Sequence, residues 1–418
     1  MKPTVIIGGG IIGLFSAYYL VREGIEVEII DQTDLQNTCS TGNAGMIVPS
    51  HIIPLASPGM IEKGIKWMFS RKSPFYIHPR LDKRLIEWGW LFYKHANARH
   101  VAHSIPNLKN IGLLSRALYV QFAGEHKEQA DIGLETGGLL MLYQSKHIEK
   151  EEIEGAMLAR KHGLEAEIIS KADLSILEPN QEINAIGGVF YPGDAHLRPE
   201  QLQVFLRQYL LDKGVKFHLN ETVQVFDKQS DKINAIITDK ATHQADNVVF
   251  CAGSWSGLLG EKLGIKLPMM GGKGYSFFQS NRPKIAKAAI LVDARVSVSP
   301  YDDQVRFGGT MEITGINTKI DPMRVQGIVD SINRYYPAFE THPPAVSTIW
   351  TGLRPCSPDG LPYIGRVEGF SNLIIGTGHS MMGLSLAPAT GKIMAEILQN
   401  QETSIPLAAF SPLRFHKN

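Results

Sequence analysis

"PTVIIGGGIIGLFSAYYLVREGIEVEIID" (residues 3–31) reads as strand, tight turn, helix and strand. Val5 to Ile7 are β-formers. Gly8, Gly10 and Gly13 supply G-x-G-x-x-G, Gly24 closes the helix, and Ile25 to Ile30 form the next strand. Asp31 ends that strand, eighteen residues beyond Gly13. Such glycines allow a tight turn and close approach of the backbone to a pyrophosphate. The helix start at Ile11 and Ile12 offers unpaired N–H groups, and Asp31, followed by Gln32, can accept from a ribose hydroxyl. The plain alternative is a glycine-rich turn between buried strands; strand, helix and spaced acid together favour a dinucleotide. The acid disfavours a 2′-phosphate but does not separate NAD from FAD.

The bulk composition narrows the remainder. With 418 residues the protein is long enough for two domains, interleaved if nucleotide elements recur along it. Hydrophobic residues make up 44% and charged residues 20%, as in ordinary globular proteins. A net charge of +1 gives no overall field to recruit nucleic acid. Three scattered cysteines, Cys39, Cys251 and Cys356, argue against a disulfide framework or zinc site and fit a reducing, cytoplasmic compartment. No stretch reads as a membrane span. The apolar N-terminus lacks a small-residue cleavage site, so export is not expected.

Two more strand–glycine-turn–helix units follow the first, at 245–263, through Ala252-Gly253, and at 372–398. Between them, Pro199 opens a helix that Gly214 ends. Short strands are expected at 222–227 and 232–238, and further strands across 267–350 with turns at Tyr301-Asp302-Asp303 and Gly308-Gly309. Nucleotide elements dispersed in this way suit FAD, a long cofactor gripped at both ends, better than NAD.

Seven motifs in order then carry a resemblance: GGGIIG (8–13), STGNAG (40–45), KWMFSRKSP (66–74), KGYS (273–276), RFGGTMEITGINT (306–318), WTGLRPCSPDGLPYIGR (350–366) and GTGHSMMG (376–383). The protein resembles the D-amino-acid-oxidising FAD oxidoreductases nearly end to end. Within them it resembles the bacterial D-amino acid dehydrogenases, of the small-subunit or one-subunit type. The resemblance implies an α/β fold with α+β elements. A Rossmann-like FAD-binding domain is built from separated segments (1–58, 188–262 and 347–402). A substrate domain with a large mixed β-sheet comprises 59–187 and 263–346, and 403–418 form a C-terminal tail. It also implies oxidation of an amino acid at Cα, with electrons leaving to a quinone or another non-oxygen acceptor.

Arg354 matches the arginine with which the family grips the substrate carboxylate. A planar guanidinium suits a carboxylate through two parallel hydrogen bonds, and Pro355 biases Arg354 toward extended backbone. The alternative is a structural ion pair to an acid such as Asp359. The family pattern also places Ser40, Thr41, Asn43, Ala44, Gly45 and Met46 along the pyrophosphate, and Val223 at the adenine. Gly378, His379, Ser380, Met381, Met382 and Gly383 belong to the loop facing the pyrimidine end of the flavin. Tyr275, Thr310, His51 and Met382 are pocket candidates, each equally open to a packing role. His379 is expected to shape the site rather than act as a strong base. Relatives with covalent FAD carry their cysteine where this sequence has Gly352, so non-covalent FAD is expected.

Residues 60–95 hold eight Lys/Arg against three Asp/Glu and three of the five tryptophans, Trp67, Trp88 and Trp90. That composition suits peripheral contact with anionic lipid on the inner membrane face, near a quinone; a charged helical face over an aromatic core would read the same. His95, His100 and His103 lack the acids or thiols of a metal shell, and no metal is expected. Two other functions remain open: dehydrogenation of a cyclic imino acid such as cis-4-hydroxy-D-proline, and a flavin-carrying relay subunit without a substrate.

Overall fold

A computed structural model describes residues 2–68 and 72–416. Residues 69–71, inside the KWMFSRKSP motif and the 60–95 segment, lie outside them. Strand Thr4–Ile7 is buried along its whole length and sits inside a six-stranded sheet. Its neighbours are Val27–Asp31 on one side and Asn247–Phe250 on the other, both parallel. Lys216–Leu219 and Leu373–Thr377 extend the parallel order outward, and Tyr363–Arg366 closes one edge antiparallel. An apolar run such as Val5-Ile6-Ile7 is the pattern of a strand covered on both faces. The three glycine-turn units thus meet in one layer, although more than 300 residues separate the first from the last.

Helix Ile11–Arg22 packs on helix Gly383–Leu398, and a Cβ at Gly391 would lie 2.6 Å from the Phe15 backbone, so glycine sets the close approach. Helix Pro199–Asp212 starts at its proline, as expected, and buries Leu202, Leu206 and Leu210. A separate antiparallel meander, Val223–Gln229, Lys232–Thr238 and Thr242–Gln244, lies between the outer strands of this layer in sequence.

The second layer is a nine-stranded mixed sheet. Its order runs Trp350–Cys356, Met270–Ser280, Gln304–Ile313, Val296–Pro300, Ala288–Leu291, Leu139–Tyr143, Gly187–Tyr191 and Glu167–Ser170, with Phe75–Ile77 pairing beside Gln304–Ile313. The expected segment boundary at 347 falls before Trp350–Cys356, yet that strand hydrogen-bonds along Met270–Ser276 in the large sheet. The backbone crosses to the nucleotide layer only after Cys356.

Gly308-Gly309 is not the turn expected from sequence: both residues lie inside strand Gln304–Ile313. A Cβ at Gly309 would meet Ile328 at 3.0 Å, and one at Gly308 would meet Ser297 Oγ at 2.9 Å. Packing, rather than turning, selects glycine at both positions. Just beyond them the register slips, with Lys273 opposite Glu312 but Tyr275 opposite Gly309. At this bulge Thr310 takes φ 67°, a left-handed conformation that β-branched residues rarely adopt.

The C-terminal segment folds back, burying Phe410 and Phe415. Among the described residues, no helix is long and apolar enough to cross a membrane.

Candidate active site

The nucleotide end is built at the C-terminal edge of the parallel strands. A Cβ at Gly13 would overlap the Gly8 carbonyl, and one at Gly8 (φ 104°) would lie 2.5 Å from the Cys251 carbonyl. The turn is therefore as tight as its glycines permit, and the Cys251–Ala252 backbone packs against it, with Gly253 (φ 52°) next in line. Asp31 accepts from Gly9 N–H at 2.7 Å and from Thr33 N–H and hydroxyl at 2.8 and 2.7 Å, which fixes its carboxylate at the strand end beside Gln32. The helix after Gly10 has no side-chain cap of its own; Ile11 N–H donates to Ser40 Oγ at 3.3 Å, and Ile12 and Gly13 follow it in the first turn. Unspent amides there, with the positive end of the helix dipole, fit a pyrophosphate. Val223 is buried at the start of its strand, and the preceding Glu221 N–H donates to the Asp31 carbonyl, placing the expected adenine residue beside the expected ribose residue.

Residues 40–46 run from this turn onto the large sheet. Three successive carbonyls are caught by side chains of three of its strands. Gly42 accepts from Ser276 Oγ at 2.6 Å, Asn43 from Arg306 Nη1 at 2.9 Å and Ala44 from Ser299 Oγ at 2.5 Å. Thr41 meets Thr38 through their hydroxyls, and Gly45 (φ 72°) receives the Asn43 side chain on its N–H. Met46 pairs with His196 in a two-stranded ribbon. Sequence reasoning missed Ser276, Ser299 and Arg306. Ser276 and Arg306 stand inside the KGYS and RFGGTMEITGINT motifs, but nothing there marks them, or Ser299, as hooks for a loop far back in sequence.

Arg354 stands on the first strand of the large sheet, opposite Gly272. Its Nη1 donates to the Thr310 carbonyl at 2.8 Å. A Cβ at Gly274 would overlap the guanidinium, so that glycine provides the berth. Among the described residues, no carboxylate lies within 4.0 Å of the guanidinium. Asp359, the alternative partner, is taken by Arg414 instead, at 2.6 and 2.9 Å. Burial lowers the Arg354 pKa from its usual value. What remains is a cation with donors to spare.

Tyr275 is not brought to this face. Side chains alternate along Met270–Ser280, so Gly272, Gly274 and Ser276 share the Arg354 side while Tyr275 points to the other. There its hydroxyl donates to Glu312 at 2.5 Å within the buried group Lys273, Glu312 and Arg324. Thr310 contributes its backbone carbonyl. His51 lies next to Ser50, whose hydroxyl and N–H hold buried Asp194 at 2.5 and 3.1 Å. Burial pushes His51 down to about 4 and Asp194 up to about 7, disfavouring the charged form of each.

The last loop faces the same region from the nucleotide layer. Gly378 (φ 75°) and Ser380 (φ 51°) bend it, and Gly383 starts the 16-residue helix, which has no side-chain cap and no acid in its first turn. His379 bridges to Cys356 by backbone and sends Nε2 to Thr390 Oγ1 at 3.0 Å. Burial pushes its pKa down to about 3. The Ser380 hydroxyl is buried with no hydrogen-bond partner in the protein, Met382 is half-buried and Met381 exposed. An orphan hydroxyl beside a free helix N-terminus fits the polar edge of a flavin. Cys356 is fully buried, its thiol pushed up to about 11 by burial. His95 and His100 spend ring nitrogens on the Leu91 and Asp359 carbonyls.

Comparison with known proteins identifies the family and the fold. The profile of a family described as FAD dependent oxidoreductase matches residues 4–397. A D-amino acid dehydrogenase of Helicobacter pylori is 30% identical over 401 residues, covering 96% of this protein and 95% of the relative. One from Granulibacter bethesdensis is 29% identical over 432 residues, covering 99% of each. Among solved structures, glycine oxidase from Geobacillus kaustophilus shares the fold with a TM-score of 0.79 at 22% identity, covering 98% of each.

Proposed function

The protein belongs to the FAD dependent oxidoreductase family, and on that premise we propose that it dehydrogenates a D-amino acid at Cα. The imino acid formed hydrolyses to a 2-oxo acid and ammonia. The observation that carries this reading is the unpaired, part-buried guanidinium of Arg354, steadied at one nitrogen by the Thr310 carbonyl. The near full-length relatives named D-amino acid dehydrogenase support the choice of hand.

The 8–13 turn, Asp31, residues 40–46 and the 378–383 loop would hold FAD non-covalently, and bound FAD would supply the two-electron acceptor. Arg354 takes the substrate carboxylate through two N–H groups, which fixes Cα in place and makes the reaction one of orientation. The first turn of helix Gly383–Leu398 presents positive potential, which would favour the negative charge that reduction adds to a bound flavin. His379 is neutral at working pH and commits Nε2 to Thr390, so it takes no proton; the substrate amine loses its proton to solvent before oxidation.

An anaerobic flavin-bleaching screen over D-, L- and cyclic amino acids tests the reading. Bleaching by D-amino acids with ammonia release supports it. Bleaching only by cis-4-hydroxy-D-proline, without obligatory ammonia, would move the protein to the cyclic branch. No bleaching by any of them would leave a relay subunit.

The electrons go to a quinone at the inner face of a membrane. Helix Lys83–His95 supports this: Ile86, Trp90 and Tyr93 form an exposed stripe, with Leu81 fully exposed before it. Trp90 and Tyr93 stack at 5.8 Å, and Lys94 covers the Trp90 ring. Apolar tips flanked by lysines suit an anionic lipid surface. Flotation with anionic liposomes at low salt that leaves the protein at the bottom would overturn it.

A further inference from the structure

Far along the nucleotide layer from Arg354 in sequence, two histidines and two glutamates come together from separate elements. Glu28 lies on Val27–Asp31 and His218 on the neighbouring Lys216–Leu219. There Ile30 is opposite His218 and Glu28 opposite Lys216, so the two side chains are diagonal neighbours on one face. His243 comes from the other sheet, on Thr242–Gln244. One donor atom from each of Glu28, His218 and His243 lies within 4.8 Å of the others. His218 Nε2 is 3.0 Å from Glu28 Oε2, and the two imidazole centroids are 4.2 Å apart.

Two donors on one ion, each at about 2.0–2.1 Å, stand about 3 Å apart; Glu28 and His218 already have that spacing, and the His243 donor, within 4.8 Å of both, would close in on binding. Glu221 supports the set from outside it, 2.8 Å from His243 Nε2, in the carboxylate–imidazole arrangement that orients a metal-bound histidine. Lys216 occupies Glu28 Oε1 at 2.9 Å and leaves Oε2 toward His218.

We propose that Glu28, His218 and His243 form a structural zinc site, with Glu221 as the orienting carboxylate of His243. Imidazole nitrogens with one carboxylate are a borderline donor set that suits Zn²⁺ rather than Mg²⁺ or Ca²⁺. The His218 side chain is part-exposed, which gives an ion a path of entry. The ion would staple the strand carrying Asp31 to the 223–244 meander, since Glu28 lies on Val27–Asp31 and His243 on Thr242–Gln244. Nothing in the sequence signals such a site, because the three ligands are separated by 190 and 25 residues and match no local spacing. Two plain His–Glu pairs, Glu28–His218 and Glu221–His243, are the competing account.

The test uses the FAD-loaded, tag-free protein, dialysed with ZnCl₂ and then against metal-free buffer, followed by elemental analysis and thermal unfolding. The expected result is one retained zinc per protein molecule and a melting temperature raised by added ZnCl₂. His243→Asn should abolish both effects, Glu221→Gln should weaken binding about 10–100-fold, and the exposed His103→Gln should change neither. Failure of the parent protein to retain zinc, or retention equal in His243→Asn and parent, would overturn the site; the parent's stoichiometry decides even if a variant folds poorly.

Discussion

Arg354 Nη1 donates to the carbonyl of Thr310 at 2.8 Å, and Thr310 is the residue that the strand bulge forces to φ 67°. The two facts are one device. A regular strand would point that carbonyl along the ladder toward Met270–Ser280. The bulge turns it out toward the guanidinium, at a local backbone cost of about 1–3 kcal/mol. One N–H of Arg354 is thereby spent on the protein, which fixes the plane in which the others meet a carboxylate.

Replacing that cation should therefore damage substrate use and spare the cofactor. For Arg354→Met, kcat/KM is expected to fall about 10²–10⁴-fold, from two charge-assisted hydrogen bonds worth about 1.5–3 kcal/mol each. Arg354→Lys should recover only part of it, because a point charge cannot form the fork. Steady-state kinetics, with the bound-flavin spectrum as control, check this; a parent-like kcat/KM in Arg354→Met would remove the arginine from the reaction.

The berth can be tested without touching the charge. Gly274→Ala puts a methyl where the guanidinium lies, so KM should rise with FAD content unchanged. Thr310→Gly retains the carbonyl and relieves the left-handed strain. It should leave kcat/KM near that of the parent and raise unfolding free energy by at most about 1 kcal/mol. Kinetics and urea melts on the pair separate a steric berth from a general weakening of the sheet.

His379 supplies a pH prediction with a definite sign. Its folded pKa, about 3 through burial, lies below the unfolded value near 6.5, so the unfolded state binds the extra proton between them. The stability it leaves in place above pH 6.5 is lost as pH falls toward 3, by roughly 3 kcal/mol at pH 4. Asp194 and Glu152, both pushed up to about 7 by burial, work in the opposite direction. The readout is therefore the difference between parent and His379→Asn in urea melts at pH 7, 5 and 4. The parent should lose more than the variant. The acid limb of the pH–rate profile should persist in His379→Asn, since the ring moves no proton.

What could be read from the sequence was what local chemistry writes locally. The 8–13 turn, Asp31 and the helices after Pro199 and Gly383 follow from glycine spacing, proline at a helix start and apolar period. Gly308-Gly309 misled, because a glycine pair signals a turn only when no side chain from elsewhere needs the space, and Ile328 does. Tyr275 sits one residue from the Arg354 face, and a period of two makes one residue the difference between cavity and core. The hooks from Ser276, Arg306 and Ser299 to residues 42–44 span more than 230 positions and end on backbone carbonyls, which carry no residue identity.

The partner of Asp359 is the last such case and gives the last prediction. Asp359 follows Arg354 by five residues, but its carboxylate is held in a two-pronged grip by Arg414, whose guanidinium also covers the Tyr363 ring at 4.0 Å. Arg414 further donates to the Leu361 and Pro362 carbonyls, so one tail residue closes the turn after the Arg354 strand. Arg414→Ala would strand a buried carboxylate and should cost about 3–5 kcal/mol of stability. Asp359→Asn in the same background should return part of that, because the orphaned charge is gone. Burial alone would raise the Asp359 pKa, but Arg414 outweighs it and holds it below the ordinary range. The pair's stability is thus fully present above about pH 4 and lost only as pH falls through the lower folded value. Denaturant melts of the two variants check the magnitudes. KM should match the parent in the folded fraction, and a KM shift as large as that of Gly274→Ala would mean that Arg414, not Gly274, sets the position of Arg354.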